Sequence, residues 1–228
     1  MNPQCFVTYG FGLQTLARKT IQIINPPNWI DLGSGNGDVL QRIGFVPKNG
    51  YSVDVDLLPN EITGFMRVQG TNEGFLEKVG GMNPRIAPEE TLVSLFDVIE
   101  HYPKSDGLAL LDKIERISSV QIIFTPEGFL GQDGETHPQL AKKPYMWHKS
   151  GFTPEDFFKT GYSVIVLKNY HVKPPGYETN WNALFAFKSR LTEWPNDRIL
   201  GLLKKYYAMW LLNPANFYLG LRSYMRNF

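Results

Sequence analysis

The chain has 228 residues, which is enough for one α/β domain of ordinary size but too few for two substantial domains. It carries 23 Lys and Arg against 22 Asp and Glu, and this near balance gives no overall field that would attract a nucleic acid, so we expect no nucleic-acid partner. The single cysteine, Cys5, excludes an internal disulfide framework and a multi-cysteine metal site. With no signal-peptide pattern at its start and no long apolar run, the sequence favours a cytoplasmic protein.

The first part of the chain alternates between helical and strand patterns. Residues 7–24 have apolar side chains at helical spacing and predict a helix, which Pro26 and Pro27 end. Residues 29–32 predict a short strand that runs into a glycine turn, and a helical pattern resumes over 39–43.

The middle of the chain continues this alternation. Strands are predicted over 51–56, 91–97 and 120–125, with a helix over 104–117 between the last two. A further strand over 65–69 is a weaker prediction, because glycines interrupt the pattern around it. Strands that alternate with helices form a parallel sheet that is covered on both faces.

The end of the chain differs, because two predicted strands, 162–169 and 183–188, have only a loop between them and should pair antiparallel. We therefore predict a Rossmann-like α/β three-layer sandwich over residues 1–190, with a mostly parallel seven-stranded sheet and one terminal antiparallel strand. Residues 191–228 form a basic, aromatic extension of two predicted helices broken at Asn213-Pro214. This extension packs on the domain or on a second subunit of a homodimer, or lies on an anionic membrane surface.

A glycine turn follows the first predicted strand of the domain, in the segment Asp31-Leu-Gly33-Ser-Gly35-Asn-Gly37. Glycines let the backbone turn sharply and approach a ligand closely, at the point where helix amides face the crevice above a sheet. The next strand ends at Asp54, whose carboxylate can accept hydrogen bonds from both hydroxyls of a ribose. The sequence therefore predicts a site for an adenosine-bearing ligand.

Two adenosine cofactors compete for this site. A dinucleotide fingerprint requires glycine at position 38, where this chain has Asp38, and an aspartate would repel a pyrophosphate. An acid such as Asp31 before the turn instead suits a ligand that carries an ammonium and a sulfonium group. S-adenosylmethionine is therefore the expected cofactor, and a NAD-dependent oxidoreductase is the disfavoured alternative.

Three motifs in order resemble those of class I S-adenosylmethionine-dependent methyltransferases: the glycine turn, Val53-Asp54, and the segment LFDVIEH that ends at His101. The segments DVIEHYPKSDG and HKSGFTPEDF narrow the resemblance to the UbiE- or UbiG-like small-molecule group. The resemblance implies that Asp54 binds the ribose and that Val55 or Leu57 faces the adenine. It also implies that Gly33, Ser34, Gly35 and Gly37 line the methionine portion. We expect Asp31 and Asp97 to contact the cofactor as well. The acid that relatives place near the adenine amino group is missing, and Glu73 is the nearest candidate.

The candidate chemistry centres on three residues. His101 lies at the carboxyl end of a predicted strand, on the ligand-binding edge of such sheets, and is the first candidate for a general base, with Glu100 beside it. His148 stands in a loop before the predicted helix cap Thr153, where loops cover an acceptor pocket. Each histidine can instead serve only to bond a backbone group or to face solvent.

A divalent metal is possible at this segment but is not expected. Asp97, Glu100 and His101 have the spacing i, i+3, i+4 and would converge on one ion if the turn were helical. Some quinone-pathway and RNA-end methyltransferases with a similar motif use these positions for a metal, but the first acid here is the shorter Asp. The alternative is that Asp97 contacts the cofactor and Glu100 makes a structural hydrogen bond.

Together these observations predict an enzyme that transfers a methyl group from S-adenosylmethionine to a small-molecule acceptor, with an oxygen nucleophile favoured because a base is most useful for a hydroxyl. A catalytically inactive module that binds S-adenosylmethionine and acts through its C-terminal tail is the alternative from another functional class.

Overall fold

The computed structural model describes residues 5–10, 12–56, 60–82, 87–174 and 177–212. Leu57, one of the two predicted adenine contacts, and the predicted second helix after Asn213 lie outside these ranges. Within them, no helix is both long and apolar enough to cross a membrane.

The described chain forms one sheet of eight strands, one more than predicted. The strands lie in the order β1-β7-β8-β6-β5-β2-β3-β4, and β8 runs antiparallel to both of its neighbours while all other neighbouring pairs are parallel. The predicted antiparallel pair and the uncertain strand at Phe65–Gln69 are both confirmed. The strands are β1 Cys5–Tyr9, β2 Asn28–Leu32, β3 Asn49–Asp54, β4 Phe65–Gln69, β5 Thr91–Phe96, β6 Val120–Pro126, β7 Ser163–His171 and β8 Trp181–Ser189.

In the described ranges, six α-helices cover the two faces of the sheet and complete the predicted three layers. Helices α1, α2 and α6 pack on one face, and α3, α4 and α5 pack on the other, so that each face has its own apolar core. The helices are α1 Leu13–Ile24, α2 Asp38–Ile43, α3 Asn72–Met82, α4 Lys104–Ile117, α5 Pro154–Lys159 and α6 Asn196–Leu212.

The extra strand β1 occupies the start of the region that the sequence predicted as a helix. Its residues pair in parallel with β7, with Cys5 opposite Val164, and α1 begins only at Leu13. Gly10, which follows the strand, has a φ of 72°, a left-handed conformation that ends regular structure. Strand β1 lies at the edge of the sheet beside β7, which comes from the far end of the chain. Local periodicity does not report such a pairing, so the helix predicted to begin at residue 7 was wrong over its first turns.

Helix α6 is the first of the two helices predicted after residue 190, and it packs against one face of the sheet. Ile199, Leu200 and Leu203 are buried in the same core as α1. The hydroxyl of Tyr207 accepts a hydrogen bond from the backbone N–H of Tyr9 at 3.0 Å, which fixes the far end of the helix beside β1. The predicted division of the chain at residue 190 stays a prediction.

Candidate active site

A cavity of about 350 Å³ opens at the edge of the sheet where β2, β3, β4 and β5 end. Because the carboxyl ends of parallel strands meet at one edge, residues distant in sequence converge there. The cavity is lined by Gly33, Gly35, Asp54, Val55, Asp56, Thr71, Asn72, Glu73, Asp97, Val98, His101, Tyr102, Lys143, Tyr145, Met146 and Lys149.

The glycine turn forms one wall of the cavity, and two side chains bind its backbone through hydrogen bonds. The N–H of Gly35 donates to Asp54 Oδ2 at 2.7 Å, and Arg67 Nη2 donates to the carbonyl of Gly35 at 2.6 Å. Gly35 has a φ of 53°, and a Cβ placed there would meet no atom within 4 Å. The open space beside this backbone is therefore available to a ligand.

Asp54 lies on the floor of the cavity with both carboxylate oxygens already oriented. Oδ2 accepts from Gly35, and Oδ1 accepts from the N–H of Asp56 at 2.8 Å. A carboxylate has about four acceptor positions, so each oxygen retains one for a ligand hydroxyl. The predicted contacts Gly33, Val55 and Asp97 also line the cavity.

Two other predicted cofactor contacts, Ser34 and Gly37, are not among the residues that line the cavity. The Oγ of Ser34 lies 2.6 Å from the Oγ of Ser52, so this side chain points into the sheet. Gly37 has a φ of 82°, and a Cβ there would come within 2.2 Å of Ile62 Cδ1. The close packing of Ile62 against Gly37 is enough to explain why this position needs a glycine, without any contact to a ligand.

Asp31 is buried beneath the turn and does not line the cavity. Its Oδ1 accepts a hydrogen bond from Ser94, which in turn accepts one from Trp29 Nε1 at 2.7 Å. Burial raises the pKa of Asp31 to about 7, although the bond from Ser94 acts in the opposite direction. In this structure the acid supports the turn from below.

Asp97 directly follows β5 and lines the cavity, with a φ of 55° that is uncommon for a residue other than glycine. Its side chain is exposed at the cavity, and desolvation by the many protein atoms near the carboxyl group raises the pKa of Asp97 to about 7.

Glu100 lies at the back of the site, almost completely buried at 2% exposure. Thr125 donates to its Oε2 at 3.0 Å, while Oε1 is buried without a hydrogen-bond partner among the described residues. Burial, followed by the nearby charge of Asp97, raises the pKa of Glu100 well above its ordinary value. An unpaired oxygen in such a place is costly unless a proton or a cation compensates it.

His101 lines the cavity, but neither of its ring nitrogens points to open space. Nδ1 lies 3.3 Å from the carbonyl oxygen of Trp147, and Nε2 lies 3.1 Å from that of Asp97. A neutral imidazole donates from only one nitrogen. Burial, and then the proximity of His148, lower the pKa of His101 to about 4, so the ring is neutral at pH 7.

His148 lies next to His101, with the two ring centroids 5.1 Å apart, although it is not among the residues that line the cavity. Its Nδ1 is 2.5 Å from the carbonyl oxygen of Leu130 and therefore carries the proton, which leaves Nε2 with a free lone pair. Burial lowers the pKa of His148.

The structure changes the predicted metal-ligand set. One ligand atom each from Glu100, His101 and His148 all lie within 4.8 Å of one another, and Asp97 is not part of this group. Residues 99–101 form a 3-10 turn preceded by left-handed Asp97, so the i, i+3, i+4 spacing does not place the predicted set on one helical face.

Several residues of the cavity were missed by the sequence interpretation. Lys143 Nζ and the hydroxyl of Tyr145 both bond Asp56 Oδ2, at 2.7 and 2.5 Å, and so bring the long loop after β6 over the cavity. The bond from Lys143 holds the pKa of Asp56 below its usual range. No local pattern in the sequence pairs residues from such distant segments.

A second group of cavity residues follows β4, in the region with a poor sequence pattern, and only Glu73 among them was named from the sequence. Thr71, Asn72 and Glu73 line the cavity, and Asn72 Nδ2 donates to the hydroxyl of Tyr102 at 3.0 Å. The nearest predicted adenine-side acid, Glu73, thus reaches the cavity, and Asn72 and Tyr102 lie beside it.

No protein-family model and no curated protein matches the chain. A search of solved structures finds similarity to several methyltransferases. A SAM-dependent methyltransferase from Archaeoglobus fulgidus is 13% identical with a TM-score of 0.47, over 78% of this chain and 95% of that one. The methyltransferase domain of bacterial CtHen1-CN is 17% identical with a TM-score of 0.41, over 76% and 97%. The small RNA methyltransferase HEN1 is 16% identical with a TM-score of 0.44, over 78% of this chain and 25% of that one.

At these values the similarity identifies neither a substrate nor a cofactor for this chain. The predicted UbiE- or UbiG-like group and the predicted absence of a nucleic-acid partner therefore stay predictions.

Proposed function

We propose that this protein binds S-adenosylmethionine in the cavity and transfers its methyl group to an oxygen atom of a small-molecule acceptor. The proposal rests on one observation, which is that acidic residues outnumber basic ones in the cavity beside the glycine turn. Its acids are Asp54, Asp56, Glu73 and Asp97, and its lysines are Lys143 and Lys149.

The balance of charge favours a cationic ligand over a pyrophosphate. Lys143 is already paired with Asp56, which leaves acids in excess over lysines around the cavity. A sulfonium and an ammonium group are stabilised in such surroundings, whereas a dinucleotide would place two further negative charges there. Asp54, with one acceptor position left on each oxygen, provides the ribose contact.

Methyl transfer from a sulfonium requires in-line approach of a nucleophile with a free lone pair, so the protein has to position the acceptor and remove its proton. The group Glu100, His101 and His148 supports an acceptor hydroxyl at the back of the site. His148 Nε2 has the free lone pair for the proton, and the Leu130 carbonyl fixes its tautomer. His101 lines the cavity next to His148, so the acceptor hydroxyl has to pass the edge of the His101 ring to reach His148 Nε2.

The same three residues would hold a divalent cation if His101 turned one ring nitrogen away from its carbonyl contact. Glu100 supplies a buried oxygen that has no hydrogen-bond partner in the described part of the chain, and histidine nitrogens are common metal ligands, so the donor set suits a divalent ion such as Zn²⁺ or Mn²⁺. An ion bound there would lower the pKa of a coordinated hydroxyl. A cation would also compensate the buried charge of an ionised Glu100.

Calorimetric titration of S-adenosylmethionine into the full chain tests the cofactor. We expect binding by the wild type and a loss of about 10- to 100-fold in Asp54→Ala, because charge-assisted hydrogen bonds to the ribose are removed. Asp112→Ala removes an exposed acid on α4 and should bind like the wild type. No binding by the wild type would refute the proposal.

Turnover then separates an enzyme from a binding module. Release of S-adenosylhomocysteine is measured with a panel of hydroxyl-bearing acceptors, with and without Mn²⁺ or Zn²⁺, for the wild type, Glu100→Gln and His148→Asn. We expect turnover that both variants reduce. If Mn²⁺ or Zn²⁺ stimulates the wild type, Glu100→Gln should lose that stimulation. Tight cofactor binding without release on any acceptor would support the inactive module instead.

A further inference from the structure

Helix α6 has one side that is exposed and partly apolar. Lys205, Ala208, Met209 and Leu212 are exposed and follow the spacing i, i+3, i+4, i+7, so they form one face of the helix, here called the α6 outer face. Met209 is 66% exposed and Leu212 is 82% exposed, the largest value among the exposed large apolar side chains of the described chain. Exposed apolar residues are ordinary when single, whereas two within one turn of a helix form a joint apolar patch that is a candidate interaction surface.

The position of this helix relates the α6 outer face to the cavity. Asn196, at the start of α6, donates to the carbonyl of Gly161, which precedes β7, while Tyr207 bonds Tyr9 at the end of β1. Because β1 and β7 are parallel, α6 runs from the amino edge of the sheet to its carboxyl edge. Met209 and Leu212 therefore lie toward the edge at which the cavity opens.

Positive charge accompanies the apolar side chains. From Lys204 to the end of the chain the sequence contains four basic residues, Lys204, Lys205, Arg222 and Arg226, and no Asp or Glu. Aromatic and aliphatic residues fill much of the rest of this segment. Apolar side chains next to basic ones are typical of helices that lie in the interface of anionic lipids.

We propose that the α6 outer face binds an anionic phospholipid membrane surface, with Met209 and Leu212 inserted among the lipids and Lys205 near the phosphates. Charge separates this partner from the obvious alternative, a second copy of the chain. An isologous contact would bring the lysines of two copies together, where like charges repel, whereas phosphates attract them. The proposal does not depend on the methyl-transfer reaction.

Co-sedimentation with vesicles tests the membrane contact in the full chain. Vesicles contain equal parts of phosphatidylglycerol and phosphatidylcholine, or phosphatidylcholine alone. We expect the wild type to bind the anionic vesicles, and we expect this binding to weaken as the salt concentration increases. Its binding to the neutral vesicles should be weaker by a factor of about ten or more. Failure of the wild type to bind the anionic vesicles would overturn the proposal.

Variants assign the binding to the α6 outer face. Met209→Glu with Leu212→Glu, and separately Lys205→Glu, should each weaken the vesicle partition by about tenfold or more. Met66→Glu on β4 and Lys113→Glu on α4 introduce the same chemical changes at other exposed positions and should bind like the wild type.

Two results would contradict this assignment. One is anionic-vesicle binding that both α6 variants retain in full. The other is a wild-type dimer in sedimentation equilibrium that Met209→Glu with Leu212→Glu dissociates, which would identify a second copy as the partner. Because the changed side chains are exposed, thermal unfolding of all variants should match that of the wild type.

Discussion

Replacement of Asp31 by asparagine should make the protein more stable at neutral and alkaline pH. The carboxyl group is fully buried, and burial raises its pKa from 3.8 to about 7. Between these values the unfolded chain has an ionised Asp31 while the folded chain keeps the proton. The folded state then binds more protons, so the free energy of unfolding falls as pH rises through this window.

The size of the effect follows from the pKa difference. A shift of about 3 pH units at about 1.4 kcal/mol per unit corresponds to a loss of at most about 4 kcal/mol between pH 4 and pH 7. Asparagine has nearly the same shape, cannot ionise, and still accepts the hydrogen bond that Ser94 donates. The variant therefore retains the interactions of the protonated acid without its titration.

Urea unfolding of the wild type and Asp31→Asn at pH 4.5 and at pH 8 measures this difference. We expect similar stability at the lower pH and a more stable variant at the higher pH. Other buried acids, such as Glu100, titrate equally in both proteins and cancel in the comparison. If the two stability curves run parallel across this range, Asp31 does not carry the raised pKa and the reasoning fails.

Three further predictions concern stability. Asp156→Ala should cost about 1 kcal/mol, because it removes the capping box at the start of α5. Gly37→Ala should cost at least about 2 kcal/mol, through its φ of 82° and the contact with Ile62, whereas Gly35→Ala, with open space beside it, should cost about 1 kcal/mol. Leu203→Ala should cost about 2–5 kcal/mol, because it leaves a cavity between α6 and the sheet.

Asp156→Ala and Leu203→Ala each have a matched control under the same urea titration, and Gly35→Ala is the comparison for Gly37→Ala. Glu155→Ala alters an exposed acid next to Asp156, and Leu212→Ala truncates an exposed leucine on the same helix as Leu203. Both controls should leave the unfolding midpoint nearly unchanged. Equal losses for Leu203→Ala and Leu212→Ala would contradict the packing of α6 into the core.

The local sequence pattern was sufficient to predict those parts of the fold whose conformation depends on residues adjacent in the chain. Helix α4 has the predicted bounds because its apolar residues follow the helical period and Pro103 precedes it. The glycine turn after β2 needs residues that adopt positive φ, and these can be recognised directly in the sequence. The position of Asp54 at the end of the next strand follows from the same strand-and-turn pattern.

Only the tertiary structure decided which distant residues meet. Strand β1 exists because β7 provides its hydrogen-bond partners, and no periodicity in the first ten residues indicates this. His148 joins Glu100 and His101, and Lys143 reaches Asp56, because a long loop folds back over the strand ends. Loop conformation depends on the sum of many contacts between segments far apart in the chain, whereas the periodicity of a sequence reports only on neighbours.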